Sequence, residues 1–152
     1  MNRPFSLKNP IEFLAVGFGS GLSPVAPGTF GTIAAIPIVF FMANLSLPVY
    51  IALTVLCAIA GIYICGKAAT NVGVHDHGAI VWDEIVGYMI AMVAIPVSWH
   101  SMLVAFILFR IFDIAKPWPI SWLDKHCSDG FGIMIDDVVA GLAALALMHL
   151  IY

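Results

Sequence analysis

Charged residues are scarce in this sequence, and they form no long basic run. Only 10% of its 152 residues are Asp, Glu, Lys or Arg, whereas 62% are hydrophobic; soluble domains are typically about a quarter charged. The six basic residues are scattered and the formal net charge is −3, which argues against a nucleic-acid partner. The composition predicts an integral membrane protein, and the length permits a single domain, 1–152, with roughly four to six membrane crossings.

Cysteine is also rare, and a secretory signal is not evident. The three cysteines, Cys57, Cys65 and Cys127, lack a spacing typical of metal sites, and two of them lie in apolar runs. We therefore expect small core residues and no disulfide framework. The stretch MNRPFSLKNPIEF contains no long apolar segment before a small-residue cleavage site, so we expect no removable signal peptide.

Apolar stretches separate the charged groups and predict the fold. The charged groups occupy 3–12, 67–84, 110–129 and 136–137. Between and after them, breaks at SPVAPG, NLSLP and PVSWHS divide the apolar sequence into segments of helical length. We predict an all-α, polytopic membrane bundle of about five spans, preceded by a short interfacial or re-entrant segment at 11–22. The predicted spans are 30–44, 48–66, 80–96, 101–116 and 133–151.

The uncharged run 85–109 has two interpretations. It could be one kinked span, which would separate the acidic residues at 83 and 84 from Arg110 by the whole bilayer. It could also be two helices, because Pro96, Ser98 and Ser101 favour a turn at the membrane surface. We prefer two helices. The turns at 44–48 and 96–101 then share a face without Lys or Arg, and the opposite, charged face is expected to be cytoplasmic.

Two acidic pairs lie near the starts of apolar helices, in WDEIVG at 82–87 and IDDVVAG at 135–141. A glycine follows four residues after Asp83 and four after Asp137, so acid and glycine share a face that packs against another helix. The acids could merely favour the helix dipole. Because acids flanked by Ile, Val and Trp are costly to desolvate, we favour a functional role for Asp83, Glu84, Asp136 and Asp137.

The stretch FRIFDIAKPWPI places one acid between two cations. Asp113 lies one helical turn from both Arg110 and Lys116. These residues alone could form a structural salt-bridge ladder. If Asp113 lies at the same end as the other acids, these carboxylates would repel one another unless a divalent cation offset their charge. Oxygen ligands suit Mg²⁺. Arg110 and Lys116 would then bind phosphoryl oxygens.

Two loops could complete such a site. GVHDHG at 73–78 offers His75 or His77 as a proton donor, although a zinc site or an ordinary solvated loop fits the same letters. GSGLSPVAPGTFGT at 19–32 contains a turn at Pro27 and Gly28 and a possible N-cap at Thr29, whose free amides could receive a phosphate. A simple surface turn would explain that loop equally well.

Common phosphate and nucleophile motifs are missing. GIYICGKA at 61–68 imitates a P-loop but has no Ser or Thr after Lys67. Cys127 has no Arg six residues later, and no G-x-S-x-G elbow occurs. The chemistry that remains is attack by a metal-activated water.

Four motifs in register, GFGSGLSPVAPGTFGT, GVHDHGAIVWDEIVG, FRIFDIAKPWPI and GIMIDDVVAG, are similar to the bacterial phosphatidylglycerophosphatase A family from about residue 11 onward. The resemblance implies a Mg²⁺-dependent phosphatase of the inner membrane that converts phosphatidylglycerophosphate to phosphatidylglycerol and phosphate, and the distribution of basic residues places its active site at the cytoplasmic face. No oligomeric state is predicted.

The resulting hypothesis assigns roles to named residues. Predicted catalytic residues are Asp83, Glu84, Asp113, Lys116, Asp136, Asp137 and His77. Predicted substrate contacts are Arg110, Lys116, Gly28 and Thr29, and predicted Mg²⁺ ligands are Asp83, Glu84, Asp113 and Asp137. A small cation- or proton-coupled transporter is the alternative, but it would spread charges through the membrane depth. A lipid-synthesis transferase would require an Asp-Gly-Ala-Arg-Asp signature, of which only Asp129-Gly130 is present.

Overall fold

The computed structural model describes residues 5–73, 78–118, 120–122 and 130–152. Within these ranges the chain is helical and contains no strand, so the all-α prediction is confirmed. A single 3₁₀ turn at Ser20–Leu22 follows the first helix. The helices are α1 (Pro10–Ala15), α2 (Pro27–Met42), α3 (Leu47–Val72), α4 (Trp82–Ala91), α5 (Trp99–Ala115) and α6 (Gly130–Ile151).

The short helix α4 forms the centre of the bundle. Eight of its ten residues are buried, and it packs most extensively against α6 while also contacting α2, α3 and α5. Two buried tyrosine hydroxyl groups form hydrogen bonds that involve α4. Tyr88 of α4 donates to the Met102 carbonyl at 2.8 Å, and Tyr50 of α3 donates to the Met89 carbonyl at 2.6 Å. These hydrogen bonds tie α4 to α5 and α3, and its acidic first turn is held inside the bundle.

The helix lengths bear directly on the predicted spans. Of the described helices, α3 and α6 are long and apolar enough to cross a membrane, and α2 is a shorter apolar helix. Helix α4 has ten residues and extends about 15 Å, whereas a hydrocarbon core is about 30 Å thick. The helix predicted at 80–96 is therefore too long: it ends at Ala91, and Ala94 adopts a left-handed conformation with φ 58° before Pro96. The count of five spans stays a prediction.

The run 85–109 forms two helices, as predicted. Ser98 is the N-cap of α5, where its side chain and that of Ser101 each accept a hydrogen bond from the other's backbone amide. This reciprocal arrangement fixes the start of a helix. Because α4 and α5 turn back on one another, the acidic start of α4 and the basic end of α5 lie at the same end of the bundle.

The N-terminal segment is anchored to the bundle. Glu12 is fully buried in α1, where its carboxylate accepts hydrogen bonds from the Ser6 amide at 3.1 Å and from Asn71 Nδ2 at 3.3 Å. The Ala15 carbonyl accepts from the amide of Val81, the residue before α4, at 2.8 Å. Helix α1 therefore connects the end of α3 to the start of α4.

Glycines allow α4 and α6 to cross closely. A Cβ atom on Gly141 would lie 2.5 Å from the Gly87 carbonyl oxygen, and one on Gly87 would lie 2.4 Å from the ring of Phe109. Both distances are shorter than atoms can tolerate. The sequence predicted that Gly87 and Gly141 face another helix: Gly141 faces α4, and Gly87 faces Phe109 of α5 and the Asp137 carbonyl oxygen of α6, 3.0 Å from its Cβ position.

We expect Gly141→Ala to push α6 away from α4, because the added methyl group would collide with backbone. The cost should be about 1–3 kcal/mol, as for other overpacked cores, visible as a lower midpoint of thermal unfolding in detergent. Gly78→Ala is the control, since no atom of the described residues lies within 4 Å of its Cβ position. Equal midpoints for the two variants would contradict the described helix crossing.

Candidate active site

Three carboxylates converge where α4 and α6 cross. Asp83 and Glu84 lie in the first turn of α4, and Asp137 lies on α6. One oxygen from each lies within 4.8 Å of the others. We call Asp83, Glu84 and Asp137 the carboxylate cluster. Asp83 and Asp137 are buried and Glu84 is partly buried, so these charges meet away from bulk water.

The carboxylate cluster has unsatisfied oxygens. Asp83 Oδ1, Glu84 Oε2 and Asp137 Oδ2 are buried and have no hydrogen-bond partner among the described residues. Leaving a buried acceptor unsatisfied costs about 1–3 kcal/mol, and more when the group is charged. Such oxygens are suited to a ligand that brings positive charge.

Two cations at the same end are paired with other acids. Arg110 and Asp113 form an ion pair along one turn of α5, and Lys116 Nζ lies 3.0 Å from Asp136 Oδ2 on α6. Asp136 also accepts a hydrogen bond from the Asp137 amide at 3.0 Å. Arg110 and Lys116 are therefore paired with Asp113 and Asp136, and no ion pair to a member of the carboxylate cluster is formed within the described ranges.

Lys116 reaches its partner through an unusual backbone. It caps α5 in the left-handed region, with φ 47°, immediately before Pro117. This conformation is costly for a residue other than glycine and is typically retained at functional sites. This turn of the backbone places the Lys116 amine against the Asp136 carboxylate of α6.

The start of α2 covers the same end of the bundle. A Cβ atom on Gly28 would lie 3.0 Å from Arg110 Nη1 and 3.2 Å from Glu84 Oε1, so a side chain at this position would crowd both charged groups. Its small size lets the α2 backbone approach them closely.

The capping prediction for Thr29 is wrong. Helix α2 begins at Pro27, because proline fits the first helical position, and Ala26 is its N-cap in a left-handed conformation. The Thr29 amide donates to the Ala26 carbonyl at 3.1 Å. Of the two amides that were predicted to receive a phosphate, only that of Gly28 has no such backbone acceptor among the described residues.

Most predicted site residues meet at this end, but they fall into different groups. Asp113, predicted as a metal ligand, pairs with Arg110 and also lies beside Asp137 and Glu84, although it is not one of the three acids of the carboxylate cluster; its role as a ligand stays a prediction. Asp136 and Asp137, predicted in a first helical turn, lie in the second turn because α6 begins at Gly130. His77 lies outside the described residues. The sequence did not indicate which acids form ion pairs, because Lys116 and Asp136 are on different helices.

The donor set limits the chemistry. The carboxylate cluster offers only hard oxygen ligands, which favour Mg²⁺, Mn²⁺ or Ca²⁺ over metals that prefer sulfur or imidazole. Arg110 lies beside it with a planar set of donors suited to a phosphoryl group. An acidic cation site next to a basic group is an arrangement that can bind and hydrolyse a phosphate ester.

Comparisons with known proteins agree with this chemistry. Residues 13–152 match the family model described as Phosphatidylglycerophosphatase A. The chain is 47% identical to Phosphatidylglycerophosphatase A of Escherichia coli over 95% of its own length and 85% of the relative's. It is 49% identical to the Haemophilus influenzae protein of the same name, over 98% and 93% of the two lengths.

A third relative, from Bacteroides thetaiotaomicron, carries the provisional name phosphatidylinositol-3-phosphatase; it is 38% identical over 97% of this chain and 95% of its own. No solved structure matches the chain significantly. The family model and the first two relatives each cover nearly all of the sequence. The chain therefore belongs to the phosphatidylglycerophosphatase A family of phosphoric monoester hydrolases.

Proposed function

We propose that this protein hydrolyses phosphatidylglycerophosphate to phosphatidylglycerol and inorganic phosphate, as a multi-pass protein of the inner membrane whose active site faces the cytoplasm. Two relatives named for this activity, each nearly half identical to the chain, support the substrate. The observation that carries the chemistry is the carboxylate cluster, with its unsatisfied buried oxygens, beside Arg110.

Mg²⁺ is the cofactor that we propose for this site. Asp83, Glu84 and Asp137 would hold it, because their unpaired oxygens provide a set of hard ligands and their charge requires a cation. When bound, the ion supplies a Lewis acid for the phosphoryl oxygens and for the attacking water.

The chain's own residues supply the remaining functions. Asp113 holds the Arg110 guanidinium, which presents its other donors to the phosphate oxygens. Lys116, held by Asp136, adds a second positive charge. A carboxylate of the cluster accepts the proton of the attacking water as the phosphorus–oxygen bond to the glycerol breaks. The predicted donor to the leaving alkoxide is His77, which lies outside the described residues.

Metal removal tests this proposal. Purified protein in detergent should release phosphate from phosphatidylglycerophosphate, stop when a chelator is added, and resume when Mg²⁺ is restored in excess. Phosphatidylinositol 3-phosphate should be hydrolysed at least about tenfold more slowly. Polar groups of the site that bind the glycerophosphate headgroup would be left without partners by an inositol phosphate headgroup. Activity that is indifferent to the chelator would refute the Mg²⁺ assignment. Failure to release phosphate from phosphatidylglycerophosphate would refute the function.

A further inference from the structure

An apolar groove runs between α2 and α5 on the outside of the bundle. It encloses about 280 Å³ and is lined entirely by apolar side chains: Ile33, Ile36, Trp99, Met102, Leu103 and Phe106. Helices α2 and α5 contact each other at few points, which leaves the groove open. In a bilayer this surface would face the lipid chains.

The groove leads to the candidate active site. Phe106 and Leu103 lie four and seven residues before Arg110, so the three side chains share one face of α5. Leu103 is about 10 Å from Arg110 along the helix axis. At that end the Arg110 guanidinium lies against Gly28 of α2, so the same two helices that form the groove meet at the basic group of the site.

A second lipid-facing groove, between α3 and α6, has no such connection. It is larger, at about 340 Å³, and includes Ile59. Its charged end is closed by backbone contact, since a Cβ atom on Gly130 would lie 2.1 Å from the Ile62 carbonyl oxygen and 3.0 Å from Gly66 Cα. The groove continues as far as that contact in a smaller apolar pocket, of about 170 Å³, that includes Ile62 and Phe131, and neither lining includes a charged residue.

A third cavity, of about 460 Å³, contains Asn44, Tyr50 and Pro96. It lies near the end of α4 opposite Asp83 and Glu84, because its lining includes residues that follow that helix. Among these three cavities of the described part of the chain, only the groove between α2 and α5 joins an apolar surface to the basic side of the site.

We propose that the groove between α2 and α5 holds an acyl chain of the lipid substrate while its phosphate binds at Arg110; this inference rests on the proposed function. The occupant must be apolar along Ile36, Leu103 and Phe106 and anionic at Arg110, which describes a lipid phosphomonoester. Because lipid tails are as apolar as the groove, seating a chain in it adds little binding free energy. Its role is to orient the headgroup toward the carboxylate cluster.

A blocking substitution tests the groove. Leu103→Trp would fill it, and Ile59→Trp would fill the groove between α3 and α6; the two side chains are similarly exposed, at 58% and 61%. Each variant is assayed with dioleoyl phosphatidylglycerophosphate and with its deacylated, water-soluble counterpart. Leu103→Trp should lower kcat/KM for the dioleoyl lipid by about tenfold or more, because a misplaced headgroup reacts slowly. It should leave the deacylated substrate unchanged, and Ile59→Trp should change neither value.

The possible failures are distinguishable. If wild-type protein hydrolyses neither substrate, the proposed function is wrong. If the wild type is active and Leu103→Trp behaves like Ile59→Trp, or slows both substrates equally, the groove does not hold the chain.

Photocrosslinking gives a readout that does not depend on turnover. Phosphatidylglycerophosphate with a diazirine in its acyl chain should label peptides from 27–42 and 99–115 in wild-type protein, at least about tenfold more than in Leu103→Trp. Labelling that is concentrated on α3 and α6, or unchanged by Leu103→Trp, would overturn the proposal.

Discussion

Asp137→Asn is expected to reduce phosphate release from phosphatidylglycerophosphate by about 10³-fold, equivalent to roughly 4 kcal/mol of lost transition-state stabilisation. Asparagine has nearly the same shape as aspartate, so the packing of α6 against α4 should persist. The variant replaces one of the three acids of the carboxylate cluster with a neutral amide and so removes one ligand of the proposed cation. The measurement is phosphate release in detergent at saturating Mg²⁺.

The same variant should be more stable than the wild type when a chelator is present. Three buried carboxylates within 4.8 Å of one another repel, and removing one relieves that repulsion. Active sites commonly reduce the stability of a fold in this way. Added Mg²⁺ should raise the unfolding temperature of the wild type, and at the same concentration it should raise that of Asp137→Asn less.

Asp136→Asn is the matched control one residue away. It weakens the ion pair with Lys116 and the hydrogen bond to the Asp137 amide, so it should lower the unfolding temperature with or without Mg²⁺. A loss of stability in Asp137→Asn together with near-normal activity would indicate that the carboxylate cluster is structural.

Arg110→Gln should reduce kcat/KM by about 10²-fold or more, the usual cost of removing a group that stabilises charge in the transition state. It should also cost about 3–5 kcal/mol of stability, because it leaves Asp113 buried without its cation. Phosphate release and thermal unfolding in detergent measure the two effects.

A double variant separates the two effects of Arg110. Arg110→Gln combined with Asp113→Asn removes both charges, so most of the lost stability should return while activity stays low. Arg110→Lys keeps the charge without the planar fork and should recover only part of the activity. If activity returned along with stability in the double variant, Arg110 would be a structural residue and no substrate contact.

Local signals in the sequence predicted much of the fold. Ser98 and Ser101 indicated a turn between two helices, and the structure uses both in the cap of α5, which begins at Trp99. Because the turn was predicted at the right place, Arg110 was correctly predicted to lie at the same end of the bundle as Asp83. The end of α4 at Ala91 could not be predicted, because the left-handed conformation of Ala94 depends on how the following segment packs and not on local propensity.

The site was predicted as a set of residues but not as an arrangement. Asp113 lies one turn from Arg110 in the sequence, and their pairing was among the predicted alternatives. Lys116 pairs with Asp136, which is 20 residues away on another helix, and no periodicity indicates such a contact. Which acids remain for a cation therefore depends on tertiary geometry.

Two further features required the folded chain. Glu12 was assigned no role, yet it is fully buried and bonded to Asn71, which is 59 residues away. Helix α6 includes Gly130, three residues before the predicted start of the span, and that glycine lies close to Gly66 of α3. Both depend on contacts between distant segments, which composition and spacing do not specify.

The most direct test of the account is a calorimetric titration of Mg²⁺ into the purified protein, its Asp137→Asn variant and its Asp136→Asn variant, without substrate. The wild type and Asp136→Asn should bind Mg²⁺ saturably, and Asp137→Asn should bind it at least about tenfold more weakly. Equal Mg²⁺ binding by the wild type and Asp137→Asn would contradict the claim that Asp83, Glu84 and Asp137 form the cation site.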